Sequence, residues 1–440
     1  MSTTNNTHRT GRHLPASISR RDILQMGLAG AGLTALGSLG GLTRVANADV
    51  ATQKFLVVVF LYGGQDGTNM LIPKTLSNYY SLRPNIAITS GNELSLNAGP
   101  GANADYGVHP AMPSLAARYG AGEAAFVNMV GYPDANLSHF TSQDIYSHGV
   151  RGEFADVGLT ESGWIARFAD QYAPTPLGAV SVGVGRPLDL VGGTSNPFLV
   201  DSLARFKFDI DYRYRANHEH RLEAIRDLLD SFSTTGLPGE VAESLGQGHD
   251  LADQIQAAVS AYTSAPLATY QDNAGTTHGI HRNMRDIAML VNYGFETQVF
   301  YTGFGGFDTH SNQGAETGRH ADLLERLDTA LESFAQDMIA RNVWDNTTIV
   351  VASEFGRRNF ENGSVGTDHG KAAPFIVMGG GVNAGVYGRD LTTADLEENW
   401  LTYDVDFRDI YRDIVENHLN HDASPVFPEA QPTSQDLGLV

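Results

Sequence analysis

The chain has 440 residues, no cysteine, 50 Asp and Glu against 29 Lys and Arg, and a net charge of -21. Disulfides, thiolate metal sites, a cysteine nucleophile and a formylglycine made from cysteine are therefore excluded, and so acidic a chain argues against nucleic acid or an anionic membrane as partner. Hydrophobic residues make up 42% of the sequence, enough for a substantial core without covalent staples.

Taken in order, the chain opens with the pattern of a twin-arginine signal peptide over residues 1–48. Ser19-Arg20-Arg21-Asp22-Ile23-Leu24 precedes a weakly apolar stretch, Met26 to Leu42, and Ala46-Asn47-Ala48 supplies small residues for cleavage. The apolar stretch is rich in Gly and falls short of the roughly 20 strongly apolar residues that a membrane span needs, so cleavage is expected and no stable span afterwards. The twin-arginine translocase is then a partner during export, and a periplasmic or secreted location follows. Residues 1–48 carry five Arg against one Asp, which leaves residues 49–440 with a net charge of -25.

Residues 49–440 read as a single α/β domain with an elaborated middle. Lys54 to Tyr62 (KFLVVVFLY) is a nearly unbroken β-branched and aromatic run, as a strand buried on both faces of a parallel sheet requires. Runs of the same character are Ala124 to Val130, Gln298 to Phe304, Thr347 to Ser353 and Pro374 to Met378. From His320 to Arg341, Leu323, Leu324, Leu327, Leu331, Phe334 and Met338 recur at helical spacing. Strand, helix and strand in that order make a crossover unit, so the expected architecture has three layers, a mostly parallel sheet with helices on both faces. Gly91 to Tyr106 and Ser233 to Gly248, rich in Gly, Asn, Ser and Thr, are expected to be loops, and Gly379-Gly380-Gly381 a turn.

Ligands of open α/β sheets sit beyond the carboxyl ends of the strands. Here the apolar runs lead into Gly63-Gly64-Gln65-Asp66, Gly305-Gly306-Phe307-Asp308-Thr309-His310, and Glu354-Phe355-Gly356-Arg357-Arg358, and a later connection holds Asp368-His369. Asp66, Asp308, Glu354, His310, His369 and Asp368 are thus candidate metal ligands: bare carboxylates gathered at one edge repel and need a cation, a proton or an arginine. Oxygen and imidazole donors suit a divalent ion, with Zn or Mn favoured over Mg or Ca by the histidines. Each residue also has a plainer reading, Asp66 as a turn residue, Asp308 as an Asx turn or cap, Glu354 as a helix N-terminal acid. Ser138 is the candidate nucleophile at a helix start, with a plain N-cap as the alternative, and His139 and Arg357 are further candidate catalytic groups. Arg357 and Arg358 either grip an anionic substrate or neutralise Glu354. A Ser-His-Asp hydrolase is set aside because no Gly-x-Ser-x-Gly elbow ends any strand, and His109, His278, His281 and His320 read as structural.

Through FLVVVFLYGGQDGTNMLIP, GYPDANLSHFTSQDIYSHG, GGFDTHSNQ, VVASEFGRRNFENGSVGTDHGKAAPFIVMGGGV and a final LGLV, the chain resembles an exported bacterial family catalogued as domain of unknown function 1501. That family is similar to a distant branch of the alkaline phosphatase and sulfatase superfamily. The resemblance implies the helix-flanked sheet already inferred, Asp66 as first-strand metal aspartate, Ser138 as nucleophile, Asp308 and His310 as mid-chain ligands, Glu354 as the late acid and His369 with Asp368 as the last ligand. Two departures stand out. Phe355 occupies a place where the superfamily's phosphatases usually carry histidine, and Ser138 is followed by His139 and Phe140 with no Pro-x-Arg, which counts against an ordinary sulfatase. The expected function is metal-dependent hydrolysis of a phosphate or sulfate ester, on an anionic small molecule or glycan ester. A non-catalytic binding or assembly protein with a structural cation is the alternative.

Overall fold

The structure, a computed structural model, describes residues 52–149, 162–207 apart from 176 and 196, 236–428 apart from 265, and 437–440, with four isolated positions between 220 and 227. The leader read at residues 1–48 lies outside the described residues.

Nine strands form the main sheet: β1 (Phe55–Tyr62), β2 (Ala124–Gly131), β3 (Ala179–Val182), β4 (Phe198–Val200), β5 (Val299–Gly305), β6 (Thr347–Ala352), β7 (Ala373–Met378), β8 (Gly385–Tyr387) and β9 (Val405–Asp406). Their order is β8-β2-β7-β6-β1-β5-β3-β4, with β9 beside β2. Every pairing is parallel except those of β7, which runs antiparallel to both β2 and β6. All five strands expected from the apolar runs are present.

β1 shows why. Its alternate residues Phe55, Val57, Val59 and Leu61 enter one apolar core, and Leu56, Val58 and Phe60 enter a second on the opposite face. A strand that must be apolar on both sides loses the alternation of a half-exposed one. The first core is closed by α1 (Pro113–Ala121), α4 (Gly236–Ser264), α5 (Gly279–Tyr293) and α6 (Arg319–Ala340). The second is closed by α2 (His139–His148), α3 (Trp164–Tyr172) and α7 (Phe407–Asp413). The helix expected from the leucine spacing is α6; Leu323, Leu324, Leu327, Leu331, Phe334 and Met338 are all buried. It connects β5 to β6 across β1, the crossover that places both neighbours parallel to the first strand.

The expected loop from Ser233 to Gly248 is a correction. From Gly236 the backbone is helical, the first half of the 29-residue α4. Local composition disfavours helix there, but nucleation is met once for the whole segment, and Leu251, Ile255, Ala258 and Tyr262 bury one stripe further along. Among the described residues no helix is long and apolar enough to cross a membrane.

This topology fixes one edge for chemistry. The carboxyl ends of β1, β2, β5 and β6 and, because it is reversed, the amino end of β7 lie on the same side, so the segments after residues 62, 131, 305 and 352 and before 373 converge there.

Candidate metal centre

At the end of β1, Gly63 and Gly64 both take positive φ, 122° and 69°. A Cβ at Gly63 would collide with the amide of Asp308 and one at Gly64 with the ring of Phe355, so glycine is what lets the β5 and β6 loops close over the end of β1. Asp308, two residues beyond Gly306, is exposed at the centre of the edge.

Around it stand imidazoles from two other segments. His139, the first residue of α2, places Nε2 3.6 Å from Asp308 Oδ2, and His369, in the loop before β7, places Nε2 3.3 Å from Asp308 Oδ1. One donor atom from each of His139, Asp308 and His369 lies within 4.8 Å of the others. His310 completes the group: its Nε2 is 3.0 Å from Asp308 Oδ1 and 2.9 Å from His369 Nε2. Donors at 2.0–2.1 Å around one tetrahedral ion stand about 3.3 Å apart, close to the 3.0–3.6 Å between Asp308 and the three rings. The 4.8 Å limit of the His139, Asp308 and His369 set is wider, so those donors would draw in around an ion.

Each imidazole is also fixed from behind. His139 Nδ1 meets Glu354 Oε1 at 2.8 Å, His369 Nδ1 meets the carbonyl of Leu137 at 2.8 Å, and His310 Nδ1 meets Asp368 Oδ1 at 3.1 Å. Every Nδ1 therefore has an acceptor and every Nε2 turns inward, the arrangement in which ring tautomers are set for metal binding. Among the described residues, His139 Nε2 is buried and has no hydrogen-bond partner. Phe355, wholly buried, packs its ring 4.8 Å from that of His139 and 4.7 Å from that of His369, an apolar shelf that holds both.

Charge follows the same plan. Burial opposes ionisation of Asp308, but Arg357, then His310 and His139, outweigh it and bring its pKa down to about 2. The hydrogen bond that His139 donates to Glu354 raises its pKa against the effect of burial, while burial lowers His369.

The other expected site residues do not face this centre. Asp66 is fully buried; its carboxylate is taken up by Arg83 at 2.6 Å, Gln313 at 2.5 Å and Thr68 at 3.1 Å. Arg83 supplies the cation that Asp66 needs, and no carboxylate oxygen is left for the edge. Glu354 is buried and spent on His139, Gln143, the amide of Gly63 and Ser353, so it stands one layer behind His139. Asp368 likewise stands behind His310. Arg357 neither neutralises Glu354 nor is open to a substrate. Its side chain is inaccessible, and its donors go to the carbonyls of Gly63, Gly64, Phe307 and Thr367 and to Asp308 at 2.6 Å. It clamps three loops under the centre. Ser138 is exposed at the N-cap of α2, and its side chain makes no capping bond. Gln143 and the Leu137 carbonyl carry no signal in the sequence that marks them as parts of a site; Phe355 stood out there only as a departure from the resembled family's pattern, not as a shelf for two rings.

A family model described as "Protein of unknown function (DUF1501)" matches residues 53–434. The chain belongs to the DUF1501 family. No curated protein matches it in sequence. Among solved structures, the lipoteichoic acid synthase LtaP from Listeria monocytogenes is similar at 9% identity and a TM-score of 0.35, over 92% of this chain and 79% of that one. The C-terminal periplasmic domain of EptC from Escherichia coli, in complex with zinc, is similar at 8% identity and 0.37, over 88% and 90%. A protein in the alkaline phosphatase superfamily from Vibrio parahaemolyticus is similar at 10% and 0.34, over 91% and 75%.

Behind the centre of this DUF1501 chain lies a buried polar layer. Arg357 reaches Thr367, Thr367 Oγ1 donates to Gln313, and Gln313 donates to Asp66. His320, at the start of α6, is buried beside it, and among the described residues neither ring nitrogen has a hydrogen-bond partner. Burial brings its pKa down to about 3. In the unfolded chain the ring takes up a proton near pH 6.5, whereas in the folded chain it stays neutral, so His320 removes stability as pH falls below 6.5. The loss ends near pH 3. His320→Phe abolishes this difference, and its stability relative to wild type is expected to improve by about 2 kcal/mol between pH 7 and pH 5. Denaturant unfolding at the two pH values measures it; an unchanged difference would refute the assignment.

Proposed function

We propose that the protein is an exported metal-dependent hydrolase of a phosphate or sulfate ester. The observation that carries this reading is the convergence of His139, Asp308 and His369 on one point with His310 beside them, each ring held from behind. Zinc or manganese suits three imidazoles and a carboxylate best. A metal held there would supply Lewis-acid stabilisation of the charge developing on the ester's non-bridging oxygens.

Ser138 is the proposed nucleophile. Its hydroxyl is free of capping duty, it is exposed, and it immediately precedes His139 in the first turn of α2. Ser138 Oγ would bond to phosphorus or sulfur as the bond to the leaving alcohol breaks, with the hydroxyl proton ending on that alcohol. Water would then cleave the seryl ester, releasing phosphate or sulfate and restoring the serine. The substrate is an anionic small molecule or glycan ester, and the place of action, from the leader pattern at residues 1–48, is the periplasm or the exterior.

The alternative, a binding or assembly protein with a structural cation, draws on Phe355, whose apolar ring occupies space that a further ligand set would need. Metal analysis of the purified protein, followed by assays with aryl phosphate, phosphodiester and sulfate esters, separates the two. Bound metal with turnover supports the hydrolase; metal without turnover supports the alternative; no metal after reconstitution excludes both.

Glu354→Gln keeps the shape behind His139 but removes its charge. Metal affinity is expected to fall about 10- to 100-fold, measured by competition with a chromogenic chelator. Unchanged affinity would show that Glu354 serves only the fold.

A further inference from the structure

We infer that Arg358 and Lys371, gathered at Trp400, form a cationic subsite beside the metal-ligand cluster that takes a second anionic group of the substrate. This rests on the ester-hydrolase reading and adds to it a substrate class, an ester that carries another negative charge away from the reacting one.

The first ground is position. Arg357 is bridged to His369 and Arg358 to Trp400, so a single irregular patch of backbone carries the ligand histidine on one side and the cations on the other. The amide of Arg358 donates to the carbonyl of Asp368 at 2.9 Å, and that of Gly356 to the carbonyl of Lys371 at 3.4 Å. The charge of Arg358 reaches the Asp368 carboxylate, which itself is committed to His310 and Asn362.

The second ground is charge. In a chain of net charge -21 most buried or half-buried arginines are paired: Arg83 with Asp66, Arg118 with Glu123 and Glu332, Arg341 with Asp337, Arg408 with Asp406. Among the described residues, neither Arg358 nor Lys371 has a carboxylate within ion-pair distance. What holds them is aromatic: Arg358 Cζ lies 6.0 Å from the Trp400 ring and 5.7 Å from the Phe360 ring, and Lys371 Nζ lies 5.1 Å from Trp400. Aromatic faces orient a cation without neutralising it. Among the described residues, Arg358 Nε is buried with no hydrogen-bond partner. Two like charges brought to one indole, with donors unspent, are arranged for an anion, and the guanidinium suits a carboxylate, phosphate or sulfate.

The test uses the full chain loaded with zinc and two non-hydrolysable probes, phenylphosphonate and 4-carboxyphenylphosphonate, titrated by calorimetry. In wild type the extra carboxylate is expected to tighten binding about tenfold, as one charge-assisted contact would. In the Arg358→Ala/Lys371→Ala double variant that advantage disappears while phenylphosphonate binds as before, which also shows the centre intact. Equal affinities in wild type, or an advantage that survives in the double variant, overturn the subsite. Loss of phenylphosphonate binding in wild type with Arg358- and Lys371-dependent binding of the carboxylated probe overturns the ester site alone; no binding of either overturns both.

Discussion

Asp308→Asn is expected to leave the protein folded but with little bound zinc after dialysis, and to lower ester hydrolysis by at least about 1,000-fold, because a metal's stabilisation of transition-state charge is worth several kcal/mol. Among the described residues, Asp308 is the only carboxylate in direct reach of all three imidazole Nε2 atoms. Its other partner, Arg357, keeps four backbone carbonyls when Asp308 is neutralised, so the loop clamp persists. Metal content by mass spectrometry and melting temperature are read together. Full zinc occupancy in the variant would place the ion elsewhere; a collapse in melting temperature would make Asp308 a structural acid.

Ser138→Ala is the second large effect. A side chain that makes no cap bond has little to lose, so stability should change by less than about 0.5 kcal/mol, against the roughly 1 kcal/mol usual for a working N-cap. Zinc should bind as in wild type, since the His139 and His369 contacts do not involve the hydroxyl. Turnover, in contrast, should fall by at least about 1,000-fold if the serine forms the covalent intermediate. Stopped-flow measurement of an initial burst of aryl alcohol adds a direct readout: wild type is expected to show it and the variant not. Retained turnover in the variant would shift the attack to water and remove the serine from the mechanism.

The two substitutions separate what the sequence conveys from what it hides. The strands that carry the site were legible because each is buried on both faces and so reads as an uninterrupted apolar run; β1, β5, β6 and β7 announce themselves in this way. The shorter β3, β4, β8 and β9, of two to four residues, offer no periodicity to detect. That Asp308, His310 and His369 meet was legible too, since loops at one sheet edge must share a space. Asp66 was misplaced by the same reasoning. It does follow a strand, but Arg83, seventeen residues on, turns inward and takes its carboxylate, and the choice between a metal ion and a guanidinium as counter-charge depends on side-chain direction, which spacing alone does not give. Glu354 differs in a gentler way, since it belongs to the centre but through His139. Arg357 shows the opposite case, a residue whose sequence neighbourhood suggests gripping a substrate or neutralising Glu354 and whose saturated hydrogen bonds make it the clamp beneath the loops.

The central claim is that one divalent cation sits between His139, Asp308, His310 and His369. The most direct measurement is a crystal of the zinc-reconstituted protein with anomalous data collected on both sides of the zinc absorption edge. A single strong peak within coordinating distance of His139 Nε2, Asp308 and His369 Nε2 is the result predicted. The absence of a peak there, or a peak at Asp66 instead, would contradict it.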